Sequence, residues 1–150
     1  MKDILIAIQS KLAAIPDLKY IDENWGQLTD YSTHPPTKFP LALIDVEAFD
    51  FSEIGIDKKA TPQHRQLANG SITITVATIK LTNTSLHSAA TSKQQAWQCY
   101  DLLDSVHACL HGFNATATAS KLIRSGLRKV KREDGIQQFE LTYTLALTNV

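Results

Sequence analysis

The sequence predicts an α+β fold: one mainly antiparallel β-sheet with two helices packed on it, in the order α-β-β-β-α-β-β. Three observations lead there. Two segments repeat apolar residues at steps of three and four, the period of a buried helix face. Phe139, Leu141, Tyr143, Leu145 and Leu147 alternate with Glu140, Thr142, Thr144 and Thr148, the period of a half-buried antiparallel strand. Asp134-Gly135, just before that strand, tolerates the positive φ of a tight turn. Lys121 to Thr148 therefore reads as a closing hairpin whose first arm, Lys121 to Glu133, is strongly basic. With 150 residues the chain fits one domain spanning residues 1–150. A domain of that size buries roughly 70% of its unfolded surface.

The first helix is marked by Ile4, Ile8, Leu12 and Ile15, with Lys2, Asp3, Gln9 and Lys11 on the wet side. It ends at Pro16, which cannot continue the hydrogen-bond ladder. Lys19 to Trp25 has the β propensity for a short strand. Gly26 to Pro40, with Pro35, Pro36 and Pro40, reads as an irregular loop. Leu41 to Phe51 is a strand, apolar on both sides over Leu41–Ile44 and alternating afterwards, so one end is the more deeply covered. Ser52 to Ala68 is polar and reads as a long loop. A strand from Ser71 to Thr82 follows Asn69-Gly70. Ile72, Ile74 and Val76 share one of its faces and Ile79 and Leu81 the other, which predicts either a bulge or helices on both sides.

The second helix is predicted to start at Ser92, with Gln95 completing a capping box, and to run to about His111 before Gly112. Its apolar stripe is Ala96, Cys99, Leu103, Val106 and Leu110, leading to Phe113. Ala115 to Ser120 is a small-residue loop.

Composition narrows the function. Fifteen basic and fifteen acidic residues leave no net charge, which argues against nucleic-acid binding as the main task. The two cysteines, Cys99 and Cys109, lie on one helix about 15 Å apart and cannot pair, in keeping with a reducing compartment. The first residues lack the pattern of a signal peptide, and no segment approaches the ~20 apolar residues of a membrane span.

The strongest constellation for chemistry is Asp104, His107 and His111, which continue a helix face from Trp97 and Tyr100. Two histidines four residues apart and a carboxylate one turn earlier can grip a metal ion. The zinc-protease pattern is missing, since Ala108 follows His107. A small metal-binding or enzymatic domain using these three residues is the alternative reading. The plainer one is a semi-polar face, either solvated or meeting another subunit. Cys99 on an apolar stripe is a poor nucleophile, and no phosphate loop or seryl motif is present. Asp45, Glu47, Asp50 and Glu53 are scattered carboxylates, most simply a solvent side. No catalytic site can be assembled, so the chain is not expected to be an enzyme. Lys121, Arg124, Arg128, Lys129, Lys131 and Arg132 make the basic arm either a charge-protected sheet edge or a surface for DNA or an acidic protein.

The order of these elements resembles bacteriophage tail terminator, or tail-completion, proteins. The matching pieces are Phe39-Pro40-Leu41-Ala42-Leu43-Ile44, Asn69-Gly70-Ser71-Ile72-Thr73-Ile74-Thr75-Val76, and Arg132-Glu133-Asp134-Gly135-Ile136 followed by the strand Gln138 to Leu147. The likeness covers nearly the whole chain through pattern and order. It implies a non-enzymatic structural protein of a phage or prophage tail with no cofactor, forming a ring, commonly a hexamer, that ends the tail tube and joins it to the head. Its partners would be itself, tail-tube proteins and head-completion proteins, with DNA passing through. It would assemble in the bacterial host cytoplasm and end in the virion tail, outside any membrane. The resemblance also puts Thr29 to Lys38 and Ser52 to Ala68 against neighbouring subunits or the tube. Arg124, Arg128, Lys129, Lys131 and Arg132 would form an assembly or DNA-lumen surface, and Trp97, Tyr100, Asp104, His107 and His111 a subunit-contact face.

Overall fold

The structure, a computed structural model, describes residues 1–29, 38–80 and 83–148. Its elements run α1 (Lys2–Leu12), β1 (Tyr20–Glu23), β2 (Leu41–Ile56), β3 (His64–Ile79), α2 (Ala90–Leu110), β4 (Ile123–Val130) and β5 (Ile136–Thr148). This is the α-β-β-β-α-β-β order that the sequence predicts. The strands form one five-stranded sheet in the order β1-β2-β3-β5-β4. Among the described residues β1 and β2 pair in parallel, and the β2–β3, β3–β5 and β4–β5 pairings are antiparallel.

Both helices cover the same face of the sheet. Ile4, Ile8 and Leu12 from α1 and Cys99, Leu103, Val106 and Leu110 from α2 meet Ala42, Ile44, Ile72, Ile74, Val76 and the inward residues of β5. β5 keeps the predicted alternation, with Phe139, Leu141, Tyr143, Leu145 and Leu147 all buried. A second, smaller cluster lies on the other face, where Leu28, Leu41, Leu43, Ala77 and Ile136 pack together. This is why Leu41–Ile44 is apolar on both sides: alternate residues feed alternate cores.

Several boundaries differ from the sequence reading. α1 stops at Leu12, before Pro16, because the residue preceding a proline is disfavoured in helical geometry and the chain leaves the helix early. Ile15 is still buried, carried inward by the turn. α2 starts at Ala90, with Ala89 at the cap and no side-chain cap bond, so the Ser92–Gln95 box does not form. β3 pairs with β5 without a shift from Leu67 to Ile79, whereas its pairing with β2 shifts between Val46 and Phe49, and the small cluster, to which β3 gives Ala77, lies on its second face. Leu81 and Thr82, at the predicted end of that strand, lie outside the described residues, as do residues 30–37 of the Gly26 to Pro40 loop.

The largest correction concerns Ser52 to Ala68. It is not a loop. β2 and β3 stay paired from Leu41↔Ala77 out to Ile56↔His64, so this segment is a long β-hairpin with its tip at residues 57–63. β5 reaches β3 only as far as Leu67, and the hairpin beyond is a two-stranded arm. Its polar composition follows from solvent on both faces, which removes the apolar alternation that marks a strand in sequence.

Gly135 and Gly70 show two different ways in which geometry requires glycine. Gly135 has φ +79, the left-handed turn conformation predicted for Asp134-Gly135. Gly70 lies beneath Phe49 in the helix-side face, and a Cβ there would collide with the Phe49 ring and the Ala48 carbonyl oxygen.

Candidate functional site

β4 carries Arg124, Arg128 and Lys129. The register divides them. Arg124 is opposite Tyr143 and Lys129 opposite Phe139, so both lie on the helix side of the sheet. Arg128 is opposite Glu140 on the other face and forms an ion pair with it. Arg132 lies past the end of β4 and points inward. Its guanidinium donates to Asp134, to the Gln138 side chain at 3.0 Å and to the Leu28 carbonyl at 2.7 Å. This clamp fastens the chain near Leu28 to the β4–β5 turn, across the smaller core. Lys131 follows β4, also outside the strand. The five basic residues therefore do not make one stripe.

The helix side of β4 instead meets α2. The Arg124 backbone N–H donates to His111 Nδ1 at 3.2 Å, which leaves the imidazole proton on Nε2. Tyr100 packs edge-on against Phe139 at 5.3 Å between centroids, and Lys129 Nζ lies 5.5 Å from the same Phe139 ring. Trp97, Tyr100, Asp104 and His111 are exposed, and His107 is half-buried. Two groups that are separate in sequence thus share one surface: the aromatic and histidine face of α2, and Arg124, Leu127 and Lys129 of β4. Sequence reasoning misses this because nothing in either segment states the hairpin register or the side of the sheet that α2 covers.

The electrostatics are modest. His107 and His111 rings are 4.7 Å apart. Burial, then the Arg124 guanidinium and His111, push the His107 pKa below its usual value, opposed by Asp104. The Nδ1 atom of His107 and the hydroxyl of Tyr143 are buried without a hydrogen-bond partner. Burial pushes the Tyr143 hydroxyl up to about 12. Burial also raises both thiols, and Cys109 Sγ donates to the Lys11 carbonyl at 3.2 Å. The thiols are free. Among the described residues no three His, Cys, Asp or Glu side chains are grouped to hold a metal ion. With His111 Nδ1 engaged by a backbone amide, the metal reading of Asp104, His107 and His111 is set aside.

A cavity of about 550 Å³ opens at the opposite end of α2, between Gln95, Ala96, Cys99 and Leu102 and the strand ends at Pro40, Ile79 and Gln137. The raised Cys99 pKa makes its thiol an inert wall of this cavity.

The remaining surface of note is the β2–β3 arm. Phe51, Ile54 and Ile56 are 55%, 54% and 62% exposed. Glu53 and His64 pair across the arm at 2.6 Å. Sequence reasoning ends the strand at Phe51 and places Ile54 and Ile56 in a loop, and so misses that a paired ribbon carries them out into solvent.

Solved structures share this fold. A chain in "Virion of native gene transfer agent (GTA) particle" superposes with a TM-score of 0.50 at 13% sequence identity, over 96% of this chain and 93% of that one. No family model and no curated protein matches the sequence. No helix among the described residues is long and apolar enough to cross a membrane.

Proposed function

We propose that the chain is a structural subunit of a phage or prophage tail, forming a ring that ends the tail tube and joins it to the head. The observation that carries this reading is the fold shared, over nearly the full length of both chains, with a component of a phage-like particle. The surface supports it. A two-stranded arm bearing exposed Ile54 and Ile56, with exposed Phe51 at its base, is marginal in water unless something covers it. In this reading the chain is not an enzyme and needs no cofactor. Its partners are further copies of itself, tube subunits and head-completion proteins, with DNA passing through the ring. Assembly takes place in the host cytoplasm and the product stays in the virion. Arg124 and Lys129, grouped with α2, belong to a contact between proteins; Arg128 and Lys131 are left as candidates for the lumen.

The test is disruption of the gene in a particle-producing host, followed by electron microscopy. Expected are separated heads and tails, or tails of uncontrolled length, with labelled protein at the head–tail junction of wild-type particles. Normal particles assembled without this chain refute the reading.

A further inference from the structure

Among the described residues the sheet has two free edges of opposite charge. Among the described residues β1 covers β2 only from Leu41 to Ile44, and none of them forms a strand on the outer side of β2 from Asp45 to Ile56. That stretch contains Asp45, Glu47, Asp50 and Glu53 and no lysine or arginine. At the other end of the sheet, β4 is the edge strand, with Arg124, Arg128 and Lys129 and no acid. Each edge also shows apolar side chains: Phe51 and Ile54 on one, Ile123 and Leu127 on the other, between 47% and 55% exposed.

We infer that these edges join copies of this chain head to tail, β4 of one copy adding to the outer edge of β2 in the next. Exposed strand edges are templates for pairing, and opposite charges fix which edge meets which. Direction agrees. β2, β3, β5 and β4 alternate in sense, so β4 runs antiparallel to β2 within one chain. A copy rotated about an axis along the strands keeps that sense and offers β4 antiparallel to its neighbour's β2. The free part of β2 is longer than the eight residues of β4, but register shifts between Val46 and Phe49 and between Glu53 and Gly55 break it, so regular pairing with a neighbour centres on residues 49–53. His111 already occupies the Arg124 amide, which limits pairing at the start of β4 and places the junction toward its later residues. Two different patches make a heterologous interface, which closes into a ring when the rotation allows. The net charge of zero conceals this division.

This inference rests on the ring reading but has its own test. Sedimentation velocity at rising concentration and low salt is run on the wild type, on Arg124→Glu/Lys129→Glu, on Glu47→Lys/Asp50→Lys, and on the protein with all four changes. Circular dichroism checks that each folds. Expected are oligomers that dissociate at high salt, association weakened about tenfold or more in each double variant, and recovery in the fourfold one. A wild type that stays monomeric at every concentration overturns the edge pairing, as does an oligomer indifferent to both reversals. The gene disruption can still succeed in either case, so failure of the edge pairing is distinguishable from failure of the tail function.

Discussion

At the scale of single residues, two positions govern stability more than composition suggests. Gly70 has no room for a Cβ because the Phe49 ring and the Ala48 carbonyl occupy its place. Gly70→Ala is expected to lower unfolding free energy by about 1–3 kcal/mol, an overpacking cost measurable by urea denaturation. Arg132, by contrast, is a clamp. Its bonds to Asp134, Gln138 and the Leu28 carbonyl hold together three separate places in the chain. Arg132→Ala is expected to cost about 1–3 kcal/mol, whereas Arg128→Ala, which loses a largely exposed ion pair, costs at most about 1 kcal/mol. The Arg132 hydrogen bonds hold the Asp134 carboxyl below the usual range. A depressed carboxylate pKa contributes stability above the unfolded value, near ~3.9, and loses it as pH falls through the folded value. Melting temperature followed below about pH 4 should therefore fall less steeply in Arg132→Ala than in the wild type.

At the scale of elements, the β2–β3 arm separates folding from assembly. Ile54 and Ile56 on the arm and Phe51 at its base are exposed and contribute little to either core. Replacing all three by Thr is expected to change stability by no more than about 0.5 kcal/mol at each site. The same variant should be excluded from particles, read by its absence from purified virions; a variant incorporated normally would show that the arm is not a contact. α2 and β4 form the other composite element. His107 has a lowered pKa, so the folded state prefers the neutral ring. Stability from that source is complete above the unfolded histidine value, near ~6.5, and declines as pH falls below it. His107→Phe should flatten the change in melting temperature between about pH 7 and pH 5.

At the scale of the whole molecule, neutrality and polarity coexist. The acidic outer edge of β2 and the basic β4 lie at opposite sides of one sheet. Attraction between copies should then weaken as salt shortens the Debye length, from about 30 Å at 0.01 M to about 3 Å at 1 M. Light scattering across that range measures it, and association that strengthens with salt would point to apolar contacts alone.

How much of this could be read from the chain depends on which interactions are local. Helix period, the alternation of β5 and the Asp134-Gly135 turn are properties of adjacent residues, so element order and the main core are legible before folding. The long arm is not. A ribbon wetted on both faces has no apolar alternation, and its strands are defined by each other across the pairing, not by their own composition. The same holds for the site. Arg124 and His111 are named separately in the sequence, but their meeting depends on the β4 register and on which face α2 covers. Arg132 reads as one more surface cation until the fold brings Leu28 beneath it. Short-range periodicity determines the elements of this protein, while its free edges and its clamp arise from contacts between residues far apart in the chain, which no local pattern encodes.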